Sequence, residues 1–356
     1  MTGVDSLVAT AERNAAEWDE TGLPDEVVRA AARSGIAMRD GSATELGSTA
    51  ERLGAVCTSL RSLLTVQEMV FAAVAKWGTA AQRERWLPPL GAGELIAGFA
   101  ATESGAGTDL SAVATTFDRN GPDLCLSGHK RWVTFGQVAD VMLVLGRSAD
   151  GLATALVDTS WQGVTVHPVH GQLGMRGTRI GHVVFEDVIV PSDRVLAPAG
   201  FGLSHVVATA LDHGRYTVAW GCVGMAQTCV EDAAAHALTR VHGSGVLSDL
   251  DSVRGELGRS AADVVAARAV CERAARARDE RVPTALLATL LAKYAAAAAA
   301  ASVSFRAVQL LGSAGCAPDS RVGRFFRDAK VMQIIEGPAA VAEVQIGDHV
   351  LAGGVP

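Results

Sequence analysis

Apolar positions fall at helical spacing from the start of the chain: Val4, Leu7, Val8, Ala11, Ala15 and Trp18 share one face, with charged residues between them. Pro24 entering and Gly35 leaving the next segment mark the two ends of a second helix. The helical period continues from about Glu51 through Ala75 and from Thr79 to Leu87, where Pro88-Pro89 should stop it. Residues 1–95 therefore read as an N-terminal α-helical domain. From about Ile96 the runs become short and β-like: Val113 to Phe117, Leu124 to Leu126, Val141 to Leu145, Ala153 to Val157, Val164 to Val169 and Val183 to Val190. Asn120-Gly121 between two of them is a hairpin signal. With no helical crossover between strands, residues 96–201 are expected to form an antiparallel β-barrel or sandwich. Long helical runs return at about 202–239, 249–279, 283–313 and 321–350, a four-helix bundle occupying residues 202–356. The predicted fold class is α+β, in three domains.

Composition gives this outline a texture. Of 356 residues 38 are Gly, and only 6 Trp, 9 Phe and 2 Tyr are aromatic, while 49% are hydrophobic. The core is thus built from small side chains. Residues 91–205 hold 17 of the glycines, against 7 before and 14 after, so the β region is made differently from its neighbours. A net charge of −7 with scattered basic residues leaves no footprint for nucleic acid. Six cysteines without a CxxC pair sit mostly in apolar stretches, which reads as buried thiols in a reducing compartment and predicts a cytoplasmic protein. Residues 1–20 show neither the basic nor the apolar part of a signal peptide. The longest apolar run, Thr284 to Phe305, carries Lys293 at its centre, where membrane insertion costs about 2.5–3.5 kcal/mol, so a core helix is expected and no membrane span. The seven alanines Ala295 to Ala301 fit either a close helix–helix approach or plain helix propensity.

Three stretches carry candidate chemistry. Ala97 to Asp109 runs from a strand into a loop with Gly105 and Gly107. Leu110 stands where a dinucleotide fingerprint needs a third glycine, and no βαβ context is present. The stretch reads either as an ordinary glycine-rich turn or as a loop bringing backbone amides and the Thr102 and Thr108 hydroxyls close to a ligand. In Ser127 to Gly136, Trp132 and Thr134 on one strand would face the same side, either against a planar ligand or as an exposed pair. In the third, Gln309 to Gly315 is followed by Arg324 to Lys330 and by Ile334-Ile335-Glu336-Gly337-Pro338. Glu336 is a carboxylate at a helix break within apolar surroundings, and Pro338 suits the first turn of the next helix. Standing alone it could equally be a solvated helix-end residue. His167-Pro168-Val169-His170 lacks a third ligand for a metal, and no Gly-x-Ser-x-Gly elbow occurs.

In this order and spacing the three stretches resemble the acyl-CoA dehydrogenase family. The likeness spans nearly the whole chain and is densest over Lys76 to Gly107, Gly128 to Gly136, Gly171 to Leu196 and Gln309 to Gly337. The resemblance implies FAD as cofactor. By position, Phe99, Ala101 and Thr102 would contact the flavin's pyrimidine side, and Gly107 and Thr108 would border flavin and thioester. Trp132 would cover the ring, with the Thr134 hydroxyl facing N5. Arg240 matches an arginine that reaches the diphosphate of a neighbouring subunit's FAD. Gln309, Gly312 and Ser313 match the adenosine-side clamp, which implies a homodimer or homotetramer. Glu336 matches the catalytic base, whose role demands a desolvated carboxylate because the proton α to a thioester is weakly acidic. Its own amide would be one donor to the enolate oxygen, and Pro338 leaves that amide in place. Gly214 occupies the position where some members carry the base instead, leaving Asp212 and Arg215 as expected substrate contacts at the pocket mouth, beside Thr108.

The chain departs from the family pattern in several places. Arg240 to Ser244 lacks the usual Phe-Gly, Ser104 replaces a common Pro, and Pro338 and Ala340 replace residues that usually touch FAD. Arg39 to Ser48 is short and polar. With the small side chains, these changes resemble the branch found in polyketide extender-unit pathways, which acts on short oxygenated acyl groups held by an acyl carrier protein. The expected activity is FAD-dependent dehydrogenation of a short acyl thioester of CoA or carrier protein, with the electron acceptor left open. The alternatives are a flavin monooxygenase or oxidase on the same fold, and a non-catalytic FAD-binding or scaffold relative.

Overall fold

The computed structural model describes residues 3–35 and 41–354, so Arg39 and Asp40 of the short polar segment lie outside the described residues. Five helices come first: α1 (Gly3–Thr21), α2 (Asp25–Arg33), α3 (Ala43–Gly54), α4 (Thr58–Trp77) and α5 (Ala80–Gly91). Ser42 opens α3 with a reciprocal capping box to Glu45. The single run expected from Glu51 to Ala75 is two helices. The chain extends at Cys57, whose sulfur accepts the Leu60 amide at 3.5 Å, and the apolar period survives the break because Leu53, Val56 and Leu60 are all buried. Pro88 and Pro89 do not end α5. Buried Trp86 and Leu90 anchor both sides of the pair, and the Ala92 amide donates to Pro88 O at 2.8 Å, closing a further turn.

The β region is one eight-stranded sheet. Its order is β6 (Val164–Pro168), β7 (Gly181–Val190), β3 (Asp123–Val133), β2 (Thr116–Asn120), β4 (Val141–Ser148), β5 (Gly151–Asp158) and β8 (Val195–Leu196), with β1 (Ala97–Ala100) also joined to β4. Most pairs are antiparallel, including the β2–β3 hairpin closed at Gly121 (φ 61°). The expectation of a wholly antiparallel sheet needs one correction: β1 pairs with β4 in parallel, Ala97 opposite Val141, and β2 touches β4 in parallel at Thr116. The parallel edge arises because β1 enters directly from the helical layer, tied to α4 where the Gln67 side chain accepts the Ala97 amide.

A turn of π-helix at Gly202–Val207 leads into α6 (Ala208–Thr239). A small hairpin, β9 (Val241–His242) with β10 (Gly245–Val246), then precedes α7 (Asp251–Asp279), α8 (Ala285–Leu311), α9 (Arg321–Met332) and α10 (Ala339–Leu351). The fourth expected bundle helix is therefore two, α9 and α10, because Glu336 (φ 55°) and Gly337 (φ 96°) adopt left-handed backbone that no α-helix continues. Pro338 caps α10 from outside instead of sitting in its first turn. Helix α8 is long and apolar enough to cross a membrane, and it packs against α6, α7 and α9. All six cysteines are free thiols, four of them buried.

Candidate active site

The turn between α9 and α10 holds Glu336 in a conformation that costs a non-glycine residue about 1–2 kcal/mol. A half-buried and a buried cation offset this by gripping consecutive carbonyls. The Arg215 Nε donates to Glu336 O at 2.9 Å, and the Lys293 Nζ donates to Gly337 O at 2.7 Å. Arg215 reaches the turn from α6. Lys293 comes from the middle of α8 and is 2% exposed. The Glu336 carboxyl lies against α6 at Gly214, where a Cβ would stand 2.9 Å from its Cδ and Oε2 and 3.0 Å from the Met69 sulfur. Its surface is only partly covered, yet it lies deep enough that desolvation pushes its pKa up to about 7, against the opposing pull of Arg215, Lys293 and Arg61. Burial likewise lowers the Lys293 ammonium to about 8. The Glu336 amide donates to no acceptor among the described residues. A carboxyl titrating near neutrality beside a free amide is equipped to take a proton from a weak carbon acid while hydrogen-bonding the oxygen that gains charge.

The β sheet supplies a second surface. Phe99, the third residue of β1, is half-buried among three core clusters, and buried Ala101 and half-buried Thr102 follow the strand. The loop beyond is pinned by an ion pair: Lys130, fully buried on β3, donates to Glu103 at 2.6 Å and to Ala101 O at 3.1 Å. Desolvation alone would raise the Glu103 carboxyl, but bonds from Lys130, Thr115 and the Ala114 amide hold it down to about 2. Gly105 and Gly107 then face open space, with no atom within 4 Å of a built Cβ, and Thr108 is exposed.

The expectation that Trp132 and Thr134 alternate along one regular strand does not hold. The β3–β7 register shifts between Lys130 and Val133, Trp132 has φ 59°, and β3 ends at Val133. That bulge turns the indole outward, 54% exposed, with the Trp132 amide donating to His182 Nδ1 at 3.2 Å and the imidazole meeting the indole edge-on, centroids 5.2 Å apart. Thr134 follows, half-buried.

Asp212, expected at the pocket mouth, is instead buried and paired with Arg278 at 2.5 Å, because α7 ends directly across from it. Arg278 also binds Thr289 near the start of α8, so α6 and α8 begin at the same end of the bundle as Glu336. Arg240, at the end of α6, and Gln309, Gly312 and Ser313, at the end of α8, are exposed at the opposite end. From Gly214 to Arg240 is roughly 40 Å of helix at about 1.5 Å per residue. The groups that sequence reading missed are Arg61, Lys130 and Glu103, and it did not connect Lys293 to Glu336. The available signal was a lone charge inside an apolar run, as in Leu60-Arg61-Ser62-Leu63-Leu64.

A carboxyl poised near neutrality on a helical bundle, in a chain whose sheet also presents an outward indole and an open glycine loop, is what an oxidoreductase working on a carbon acid beside a planar cofactor needs. Family models agree over almost all of the chain: the acyl-CoA dehydrogenase N-terminal domain matches residues 4–94, the middle domain 98–188 and the C-terminal domain 201–351. The chain belongs to the acyl-CoA dehydrogenase family and is an oxidoreductase acting on CH–CH bonds. The human mitochondrial short-chain specific acyl-CoA dehydrogenase is 30% identical over 308 residues, 85% of this chain and 74% of that protein. Among solved structures, FkbI, for biosynthesis of the methoxymalonyl extender unit of the polyketide immunosuppressant Fk520, is 35% identical with a TM-score of 0.88, covering 99% of both chains. A glutaryl-CoA dehydrogenase from Mycobacterium smegmatis in complex with FADH2 shares the fold at 24% identity, with a TM-score of 0.91 over 100% of this chain and 96% of that one.

Proposed function

We propose that the protein is an FAD-dependent dehydrogenase of a short acyl thioester in which Glu336 is the base. The observation that carries this reading is the Glu336 carboxyl, raised to about 7 and fixed by Arg215 and Lys293 on the two carbonyls of its turn. The residues present fit a flavin. Gly105 and Gly107 have neither left-handed backbone nor any protein neighbour that requires glycine, and Trp132 turns its ring to the outside on a strained residue. Phe99, Ala101, Thr102, Trp132 and Thr134 would hold the ring, with Gly107 and Thr108 at its border. Bound FAD supplies the acceptor for a hydride. Glu336 takes the proton α to the thioester carbonyl on a carboxylate oxygen, its amide hydrogen-bonds the carbonyl oxygen as charge develops, and Arg215 and Lys293 keep both groups in place.

Arg240, Gln309, Gly312 and Ser313 lie at the end of the bundle opposite Glu336. Their role at the diphosphate and adenosine therefore requires a second copy of the chain, and a homodimer or homotetramer follows. Pro338 and Ala340 leave the cofactor fewer polar partners near the base. The extender-unit reading, in which the acyl group is short, oxygenated and carried by an acyl carrier protein, is supported by the 35% identity to FkbI over both whole chains. Anaerobic mixing of the FAD-loaded protein with CoA- and carrier-linked short acyl groups tests both levels. Bleaching by a carrier-bound three-carbon hydroxyacyl group is expected. Robust turnover of butyryl- or octanoyl-CoA with no activity on that carrier-bound group would overturn the finer reading, and no bleaching by any thioester would overturn the coarser one.

A further inference from the structure

Strands β3 and β7 fall out of register beside Trp132. Lys130 stands opposite Val183 and Val133 opposite Gly181, so Arg131 and Trp132 together face the single residue His182. Such a bulge takes amides out of the ladder, and both find acceptors elsewhere. The Arg131 amide donates to Thr102 O at 2.8 Å, and the Trp132 amide donates to His182 Nδ1 at 3.2 Å. The first bond ties the bulge to Thr102, one of the residues proposed at the flavin. The second is a side-chain bond to a residue whose backbone is left-handed, at φ 59°, a conformation that a bulky residue keeps only where its surroundings hold it. The two rings meet with their planes at 90° and centroids 5.2 Å apart, so the imidazole braces the indole without stacking on it.

An imidazole nitrogen accepts a hydrogen bond only while it carries no proton, so Nδ1 is the bare nitrogen of a neutral ring. The surroundings of His182 favour that form. It lines a cavity of about 180 Å³ together with His129, Lys130 and Arg131 from β3 and with His167, which stands directly opposite it on β6, and none of the lining residues is a carboxylate. Lys130 directs its ammonium to Glu103. Burial first, and then the positive charges of Arg131 and His167, hold the His182 pKa below the ordinary histidine value. These neighbours keep His182 an acceptor at neutral pH. A proton placed on Nδ1 in acid would set two N–H groups against each other.

We propose that His182, as a neutral acceptor, is the positioning residue that fixes the Trp132 indole for cofactor binding. The bulge frees the Trp132 amide from the ladder, and the bond to Nδ1 and the perpendicular ring contact then set where the indole points. Protonation of His182 releases both, so the grip on the flavin weakens in acid through a group other than Glu336. The inference rests on the reading of Trp132 as a flavin contact and adds the residue that aims it.

The test uses Glu336→Gln protein, which removes the titration of the base, and follows FAD affinity and the visible spectrum of the bound flavin against pH. With His182 intact, affinity is expected to fall about three- to tenfold as pH drops through a midpoint below the ordinary histidine value, with a shift of the flavin bands. Adding His182→Leu should give the acid behaviour at every pH. Adding His182→Asn, which offers a neutral amide oxygen in place of Nδ1, should keep the high affinity and lose the transition. In a Trp132→Leu background His182→Leu should move neither readout, which distinguishes aiming the indole from general packing of the sheet, with melting temperature checking that each variant folds. No transition with His182 intact, a transition that survives His182→Asn, or an equal loss on His182→Leu with and without the indole overturns the assignment and leaves the cofactor reading standing. If the unmodified protein takes up no FAD at all, the cofactor reading fails and the role of His182 with it.

Discussion

Glycine serves opposite purposes on the two sides of the site. On the sheet side, Gly105 and Gly107 meet nothing within 4 Å, and their backbone is not left-handed. On the bundle side, Gly214 and Gly221 each leave the volume of one methyl group, filled by Glu336 and Arg61 respectively. The first pair makes space for something outside the chain, and the second makes space for the chain's own charged groups. The β side is an open surface, held in shape by the buried Lys130–Glu103 pair. The bundle side is already filled and clamped, with Arg215 and Lys293 fixing the strained turn. Recognition and reactivity are thus built by different means within one site.

The largest effect should come from the clamped side. Glu336→Gln is expected to keep the flavin spectrum while flavin reduction by thioester falls about 10²- to 10⁴-fold in stopped-flow absorbance. A normal rate would remove the base from the bundle altogether. Next is the clamp itself. The reduction rate should rise with pH through about 7, because only the ionised Glu336 accepts a proton. Lys293→Met should lower the plateau on the order of tenfold and move the midpoint upward, since the lost cation had favoured the ionised form. An unmoved midpoint would make Lys293 a packing residue only. The same raised pKa means that the folded chain holds this proton more tightly than the unfolded one, so its stabilising contribution is lost as pH rises from the ordinary carboxylate range through about 7.

Gly214→Ala separates stability from function more finely. Alanine is favoured over glycine in a helix interior by about 0.5–1 kcal/mol, so the melting temperature should hold or rise, while the displaced carboxyl slows reduction by on the order of tenfold. An unchanged rate would show that the close packing at Gly214 has no catalytic consequence. The smallest change in the protein itself is expected on the open side. Gly105→Ala and Gly107→Ala should leave the FAD-free protein's stability within about 0.5 kcal/mol, yet weaken FAD binding in a fluorescence titration. A destabilised FAD-free protein with intact FAD affinity would reverse the contrast between the two sides.

Much of the fold was legible in the sequence. The change from helical to β period near residue 96 and back near residue 202 survived because it reflects which faces are buried, and burial is written into residue type. The errors lie where a local rule met a tertiary contact. Pro88-Pro89 failed to end α5 because Trp86 and Leu90 hold the helix on either side. The parallel pairing of β1 was invisible because period alone carries no strand direction. Trp132 stood out among few aromatics, but the bulge that turns it outward could not be foreseen. Asp212 reads as a substrate contact from the sequence, but Arg278, 66 residues away in sequence, is placed against it.

The sequence by itself determined the three-part architecture, the family and the identity of the carboxylate at the helix break, since each depends on residue type and spacing along one stretch. Only the tertiary structure decided how that carboxylate is tuned and what faces it. Arg61, Arg215 and Lys293 come from three helices far apart in the chain, and desolvation and charge coupling exist only once those helices pack around Glu336.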